Sequence, residues 1–268
     1  MEPIAITDPL DPRIAAYHQI RERDLVGREN RFIAEGTVVL RVALASKRFA
    51  LESVLVLPSR LEGVRPLLED LPPDVPVYCA EPAVMDAVAG FHLHRGVLAV
   101  GFKRPPETVG ALLATLPTDA LVLVLCGISN HDNAGALFRN AAAFGAGAVL
   151  LDATSCDPLY RKAIRVSVGA VLKLPWAQGG TGAELLAALD GAGFQSVALS
   201  PGAETLLSNV PRGPRVALWL GAEGPGLPPE LMARMLGVRI PQAGGWDSLN
   251  VATAGAVALY HFSGAARS

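Results

Sequence analysis

Residues 121–151, LVLVLCGISNHDNAGALFRNAAAFGAGAVLL, decide the fold of this chain. An apolar run at 121–126 is followed by polar residues, then a helical pattern at about 134–144, then a second apolar run at 148–151. Strands buried on both faces have such uninterrupted apolar sequences, and parallel strands need a crossover connection, usually a helix. The stretch therefore predicts two parallel strands joined by a helix.

The same alternation continues towards residue 268. Further predicted strands are VLKLP (171–175), SVALS (196–200), RVALWLG (215–221) and VRIP (238–241). Helical patterns lie at 160–168, 183–192, 229–236 and 249–262. Continuous apolar strands among amphipathic helices indicate an α/β domain over residues 119–268, with a mostly parallel sheet covered by helices on both faces.

The first 103 residues predict a smaller α/β domain. Strand-like runs at 53–57, 75–79 and 97–102 alternate with helical patterns such as 37–47 and 61–70. Residues 104–118 open with a charged Pro-Pro turn and close with Leu-Pro-Thr, which favours a linker that contains one short helix. We therefore place the two domains at 1–103 and 119–268.

Composition excludes several classes of protein. The formal charge is −2, 51% of the residues are hydrophobic and 18% are charged, so the chain can bury a large core. Its three cysteines lie far apart, which predicts neither disulfides nor a metal site and favours a reducing, cytoplasmic environment. No apolar run approaches the roughly 20 residues of a membrane-spanning helix, and no secretory signal is visible, so we expect no membrane partner.

Two local basic patches stand out in this nearly neutral chain. Residues 13–48 hold eight basic against four acidic residues, and a second patch at 161–173 contains no acid. Solvated helix faces would explain either patch alone, whereas both together suit a phosphate-bearing partner such as RNA. The candidate RNA-binding residues are Arg28, Arg31, Arg41, Arg161, Lys162 and Arg165.

Three loops at the carboxyl ends of the predicted strands are unusual. One leaves residue 126 through SNHDNAG, one places Gly221, Gly224 and Gly226 around Glu223, and one runs from 241 to 250. Ligands of open parallel sheets bind at such strand ends, and glycine lets a ligand approach the backbone closely. Ordinary tight turns remain the alternative for each loop taken singly. Neither G-x-G-x-x-G nor G-x-x-x-x-G-K-[ST] occurs, which disfavours a dinucleotide or P-loop site.

Together, these loops resemble the motifs of the SpoU (TrmH) family of RNA ribose 2′-O-methyltransferases. The matching residues are Asn133-x-Gly135-x-x-x-Arg139 with Phe144-Gly145-Ala146, Lys162-Ala163-x-Arg165-x-Ser167-x-Gly169-Ala170, Gly221-Ala222-Glu223-Gly224-x-Gly226, and Ile240-Pro241 with Ser248-Leu249-Asn250-Val251. Phe32-x-x-Glu35-Gly36 and His94-Arg95-Gly96-Val97-x-Ala99 resemble the L30e-like substrate-binding domain of that family. The chain departs from the usual Ile-Pro-Met at Gln242 and from the usual Arg-Thr-Ala at Asn140.

The resemblance implies a SPOUT fold with a deep trefoil knot. It also implies that the cofactor is S-adenosylmethionine, which becomes S-adenosylhomocysteine after methyl transfer. It also implies methylation of a ribose 2′-hydroxyl in structured RNA, with ribosomal RNA ahead of transfer RNA. The implied cofactor-binding residues are Leu199, Leu220, Gly221, Gly224, Ile240 and Leu249. We further expect a homodimer that uses the apolar C-terminal helix, including Leu249, Val251, Val257, Leu259 and Phe262.

The candidate catalytic residues are Asn133, Arg139, Glu223, Ser248 and Asn250. We expect Arg139 to bind the target phosphate, Ser248 and Asn250 to orient the ribose, and Glu223 to hold Arg139 or its loop. Guanidinium stays charged, so we predict a clamp at Arg139, with proton release through water or Ser248. Taken singly, Asn133 and Ser248 would each be explained as a helix cap, and Arg139 would be explained as a member of an exposed ion pair.

Two other functions remain open from the sequence. One is an RNA-binding protein that keeps the SpoU fold without catalysis, and the other is an unrelated α/β enzyme for a different nucleotide. The complete set of candidate catalytic residues favours the methyltransferase.

Overall fold

A computed structural model describes residues 2–18, 22–27, 29–89, 95–244 and 248–263. The chain forms two compact units. The first unit joins residues 1–105 to residues 158–173, and the second joins residues 106–157 to residues 174–268. Contacts therefore divide the chain differently from the predicted boundaries, because the segment 158–173 belongs to the first unit.

The second unit contains a seven-stranded sheet whose strand pairs are all parallel. Its strands are β6 (Ala120–Leu125), β7 (Ala148–Leu151), β8 (Trp176–Gln178), β9 (Gln195–Leu199), β10 (Thr205–Leu206), β11 (Arg215–Leu220) and β12 (Leu236–Arg239). Their order is β10-β12-β9-β11-β6-β7-β8. The predicted parallel α/β sheet is confirmed, while the knot stays a prediction.

Helices cover both faces of this sheet. They are α5 (Val109–Ala114), α6 (His131–Ala143), α9 (Gly182–Gly191), α10 (Pro229–Met232) and α11 (Val251–Phe262). On one face, α5, α9 and α10 pack with alternate strand residues such as Val122, Val124 and Trp219. On the other, α11 packs against α6 and β11, where Gly255 permits close approach to Leu137 and Leu220. Burial on both faces explains why the strands read as continuous apolar runs.

The first unit contains a five-stranded mixed sheet in the order β1-β4-β3-β5-β2. Its strands are β1 (Ile4–Ile6), β2 (Arg31–Glu35), β3 (Leu51–Val56), β4 (Val77–Ala80) and β5 (Val97–Phe102). Its helices are α1 (Glu22–Gly27), α2 (Thr37–Ser46), α3 (Pro58–Leu68), α4 (Pro82–Ala89), α7 (Arg161–Val166) and α8 (Ala170–Lys173). The small α/β unit was expected, and its likeness to L30e stays a prediction.

Two local predictions need correction. The run VLKLP was predicted as a strand, but residues Ala170–Lys173 form α8, whose Val171 and Leu172 are buried, and the strand starts at Trp176. The predicted linker does contain a short helix, α5, but Leu112 and Leu113 of that helix lie in the core of the second unit. Burial of these leucines makes the segment from Pro106 onward part of a folded unit rather than a free connection.

Candidate active site

A cavity of about 310 Å³ lies at the carboxyl ends of β9, β11 and β12 in the second unit. Pairing brings these ends together, since Leu199 is opposite Val238 and Ala198 is opposite Trp219. The predicted cofactor-binding residues all line the cavity: Leu199, Leu220, Gly221, Gly224, Ile240 and Leu249. The sequence indicated the parallel direction of the strands, and the strand order seen in the structure brings residues from distant loops together at this edge.

The glycine loop after β11 is folded tightly on itself. The Gly226 N–H donates to the Ala222 carbonyl over 2.9 Å, and the same two residues form a β-bridge. A Cβ at Gly221 would lie 2.3 Å from the Gly226 carbonyl carbon and from the Leu227 nitrogen. Gly221 is therefore required by the close approach of backbone to backbone, and this closure places Glu223 at the cavity.

Asn250 connects three segments at the edge of the cavity. Its Oδ1 accepts hydrogen bonds from the backbone N–H groups of Ala252 and Thr253, which makes Asn250 the N-cap of α11. Its Nδ2 donates to Asn133 Oδ1 over 3.0 Å and to Glu223 Oε1 over 3.1 Å. Three of the five predicted catalytic residues therefore form one hydrogen-bonded cluster, the Asn133–Glu223–Asn250 cluster.

The structure corrects the readings of single residues as helix caps. Asn130, not Asn133, is the N-cap of α6 and accepts hydrogen bonds from the N–H groups of Asp132 and Asn133. Asn250, not Ser248, caps α11. Asn133 is instead a buried residue in the first turn of α6, where its side chain meets Asn250. Ser248 lines the cavity.

Arg139 lies on the exposed side of α6 and does not line the cavity. Among the described residues, its guanidinium makes neither a hydrogen bond nor an ion pair, so the expected exposed ion pair is absent. Glu223 bonds to Asn250, and the expected contact between Glu223 and Arg139 is likewise absent from the described part of the chain. The guanidinium is thus exposed, and no polar contact within the described ranges of the chain fixes its position.

The predicted RNA-binding arginines differ in their surroundings within the first unit. Arg31 donates to Glu52 and Glu29, and the hydrogen bond to Glu52 raises its pKa. Arg161 Nε and a terminal nitrogen of Arg165 lie 3.8 and 3.7 Å from the buried Glu35 Oε2. Arg41 and Lys162 are exposed, while Arg28 lies outside the described residues. The second basic patch is therefore partly neutralised by a carboxylate remote in sequence, which composition alone could not indicate.

Two residues near the site were missed. Asn140 Nδ2 donates to the Ala252 carbonyl over 3.0 Å and fastens α6 to α11. Gln242 lines the cavity, and its buried Oε1 has no hydrogen-bond partner in the described part of the chain. Both are positions where the chain departs from the usual family motif, and that departure was the available signal.

The described residues contain no group of three or more His, Cys, Asp or Glu side chains that could hold a metal ion. None of the helices in these described ranges has the length and apolar character needed to cross a bilayer.

Known proteins match this chain over most of its length. An uncharacterised tRNA/rRNA methyltransferase of Mycobacterium bovis is 38% identical over 271 residues, covering 95% of this chain and 90% of the relative. A solved RNA 2′-O ribose methyltransferase is 29% identical with a TM-score of 0.78, covering 97% of this chain and 98% of that chain.

An AdoMet-bound rRNA methyltransferase from Sinorhizobium meliloti is 24% identical with a TM-score of 0.80 and covers 97% of both chains, which shows a shared fold. The model of the SpoU rRNA Methylase family matches residues 120–260. This span takes in the seven-stranded sheet, the cavity and the Asn133–Glu223–Asn250 cluster. The chain therefore belongs to the SpoU rRNA methylase family.

Proposed function

We propose that this protein transfers a methyl group from S-adenosylmethionine to a ribose 2′-hydroxyl of structured RNA, with ribosomal RNA the preferred substrate class over transfer RNA. The Asn133–Glu223–Asn250 cluster beside the strand-end cavity is the observation that carries the proposal. The solved relatives described as an RNA 2′-O ribose methyltransferase and as an AdoMet-bound rRNA methyltransferase support it.

The cavity suits the proposed cofactor. Leu199, Leu220, Ile240 and Leu249 supply apolar walls for an adenosine group. Glu223 is the one carboxylate among the residues described as lining the cavity, and a carboxylate favours a nearby positive sulfonium. The orphaned Gln242 oxygen gives the site a further polar group that a ligand can satisfy. When bound, S-adenosylmethionine supplies an electrophilic methyl group.

The protein's own residues then have separate tasks. Asn250 uses both amide hydrogens on Asn133 and Glu223, so it positions the cluster. We therefore assign the orientation of the ribose to Ser248, which lines the cavity. Arg139, exposed and always charged, clamps the target phosphate, and the 2′-hydroxyl proton leaves through water or Ser248. Alignment of the hydroxyl with the methyl group supplies much of the acceleration, up to roughly 7–11 kcal/mol in favourable cases.

We further propose that the first unit contributes RNA contacts through Arg41 and Lys162, its exposed members of the candidate set. A homodimer is proposed from α11, where Val257 and Tyr260 are 42% and 52% exposed; Leu249, which precedes the N-cap of this helix, is 40% exposed. The expected interface residues Leu259 and Phe262 are instead fully buried within the second unit, so they cannot face a partner. Val257 and Tyr260 are three residues apart and share one side of the helix.

The test is methyl transfer by the purified protein to RNA from cells that lack its gene. Radiolabelled S-adenosylmethionine should label ribosomal RNA at a ribose 2′-oxygen, and mapping of 2′-O-methyl sites with and without the gene should locate the same nucleotide. Cofactor binding without transfer to any RNA would reject the catalytic proposal. RNA binding without cofactor binding in calorimetry would favour the non-catalytic alternative, and binding of ATP or NADH instead would favour a different nucleotide enzyme.

A further inference from the structure

Gln242 carries a polar group that the fold leaves unsatisfied. Its side-chain oxygen is buried and accepts no hydrogen bond within the described part of the chain. An unpaired buried acceptor destabilises a folded protein, and native proteins rarely keep one without a reason. Because Gln242 lines the cavity beside Ile240, a ligand in the cavity is the natural source of the missing donor.

The position of Gln242 in the sheet indicates which end of a ligand it meets. Gln242 follows β12, whereas Glu223 follows β11, and β9 lies between these two strands. Two strand spacings separate β12 from β11, roughly 10 Å. By this strand order, the Asn133–Glu223–Asn250 cluster belongs to the β11 side of the cavity and Gln242 to the β12 side. On that side the lining residues Leu199, at the end of β9, and Ile240, directly after β12, are apolar.

The chemistry of a glutamine amide indicates which chemical group of the ligand Gln242 binds. Apolar walls favour a flat base, and glutamine pairs with adenine through the amino group and a neighbouring ring nitrogen. The terminal torsion of glutamine is broad, so the amide can turn towards a base without leaving its place. Methionine, the usual family residue at this position, can make no such pair.

We propose that the side-chain amide of Gln242 binds the amino edge of the adenine of S-adenosylmethionine and sets the base specificity of the cofactor site. This inference rests on the proposed function, since it takes S-adenosylmethionine as the ligand. Gln242 acts in recognition of the cofactor and takes no part in the transfer itself.

The test is calorimetric binding to the full-length protein with two ligands. One is S-adenosylhomocysteine, and the other is its analogue with hydrogen in place of the adenine amino group. The wild type should prefer S-adenosylhomocysteine, and Gln242→Met should lower that preference by about ten-fold. Gln242→Glu keeps an acceptor for the amino group and should retain most of the preference. Gln195→Met changes an exposed glutamine at the other end of β9 and should alter neither affinity.

Two outcomes would overturn the inference. If Gln242→Met leaves the ratio of the two affinities unchanged, Gln242 only shapes the cavity. If Gln242→Glu loses the preference as fully as Gln242→Met, the inference that the side-chain oxygen of Gln242 accepts a hydrogen bond from the adenine amino group is wrong. Melting temperatures of the ligand-free variants establish that they fold. Failure of the wild type to bind either ligand would instead reject the proposed function itself, so the two failures are distinguishable.

Discussion

Asn250 donates from Nδ2 to Asn133 Oδ1 over 3.0 Å and so joins two residues 117 positions apart. The same amide caps α11 through its oxygen and holds Glu223 through its second hydrogen. One side chain therefore fixes the start of α11, the first turn of α6 and the glycine loop relative to one another. At the edge of the cavity, the amide oxygen of Asn250 holds the start of α11, and the amide nitrogen holds Asn133 and Glu223.

Substitutions at Asn250 separate these two ends. Asn250→Asp keeps the capping oxygen but loses the N–H donors and places a second carboxylate beside Glu223, so methyl transfer should fall at least about ten-fold. Asn250→Ala should lose the same activity and also about 1 kcal/mol of the free energy of unfolding. Asn130→Asp is the matched control, because the described contacts of Asn130 use only its oxygen. Normal activity of Asn250→Asp would contradict the positioning role.

Gly221→Ala should weaken cofactor binding. Its Cβ would lie 2.3 Å from the backbone of Gly226 and Leu227, so the glycine loop must open. We expect affinity for S-adenosylhomocysteine to fall by about ten-fold or more in calorimetry. Gly110→Ala in α5 has no atom within 4 Å of its new Cβ and should instead stabilise the protein by about 0.5–1 kcal/mol. Unchanged affinity in Gly221→Ala would show that the loop adapts without affecting the cavity.

Arg139→Lys tests the proposed phosphate clamp. Because Arg139 is exposed and makes no hydrogen bond within the described chain, its replacement should leave the melting temperature unchanged. Methyl transfer should nevertheless fall about ten-fold or more, since lysine cannot form two parallel hydrogen bonds to one phosphate. Arg234→Lys, at an exposed arginine paired with Asp190, is the control. Activity of Arg139→Lys close to that of the wild type would contradict a bidentate contact.

Val257→Asp should convert the proposed dimer into a monomer. Val257 is 42% exposed on α11, and a carboxylate buried in an apolar interface is strongly unfavourable. Sedimentation at micromolar concentration should show a dimer for the wild type and a monomer for the variant. Val38→Asp, at a 50% exposed valine of α2, should remain dimeric. A monomeric wild type would exclude the proposed assembly.

The free energy of unfolding should fall at alkaline pH, partly through Cys126. Burial, together with the nearby Asp152 carboxylate, raises the pKa of this thiol to about 12. The unfolded thiol loses its proton near pH 8.5, so the contribution of Cys126 to stability is complete below that pH. It declines as the pH rises towards 12, by about 1.4 kcal/mol per pH unit at most. Urea unfolding at pH 7.5 and 10.5 should show a smaller decline for Cys126→Ala. Equal declines would exclude the contribution of Cys126.

The second unit was predictable from sequence because burial on both faces makes its strands continuously apolar. β6, β7, β9 and β11 are found within one residue of the predicted runs. The prediction of a strand at VLKLP was wrong because the apolar residues of this run are buried in α8. Apolar content alone does not distinguish a short buried helix from a strand. β2 was missed because its five residues, RFIAE, begin and end with charged side chains.

Motif order selected Asn133, Glu223 and Asn250, which the fold brings together, but the contacts among them could be seen only in the structure. Nothing in sequence spacing indicates that Asn250 bonds to Asn133, since the carboxyl ends of several strands converge only in the folded sheet. The caps illustrate the same limit. Asn130 and Asn133 both have capping side chains, and only the start of α6 decides between them. Likewise, the basic patch at 161–165 faces Glu35, a residue more than a hundred positions earlier.

Because residues 158–173 belong to the first unit, the protein cannot be divided simply into two independent fragments. The polypeptide passes between the units three times, so no single cut releases either one intact. A fragment ending at Pro105 would lack α7 and α8 and would expose the surfaces of β2 and α2 on which these helices pack. The buried Glu35 carboxylate would also lose its ion pairs with Arg161 and Arg165. Recombinant or evolutionary exchange of the first unit must therefore carry this insert along with it.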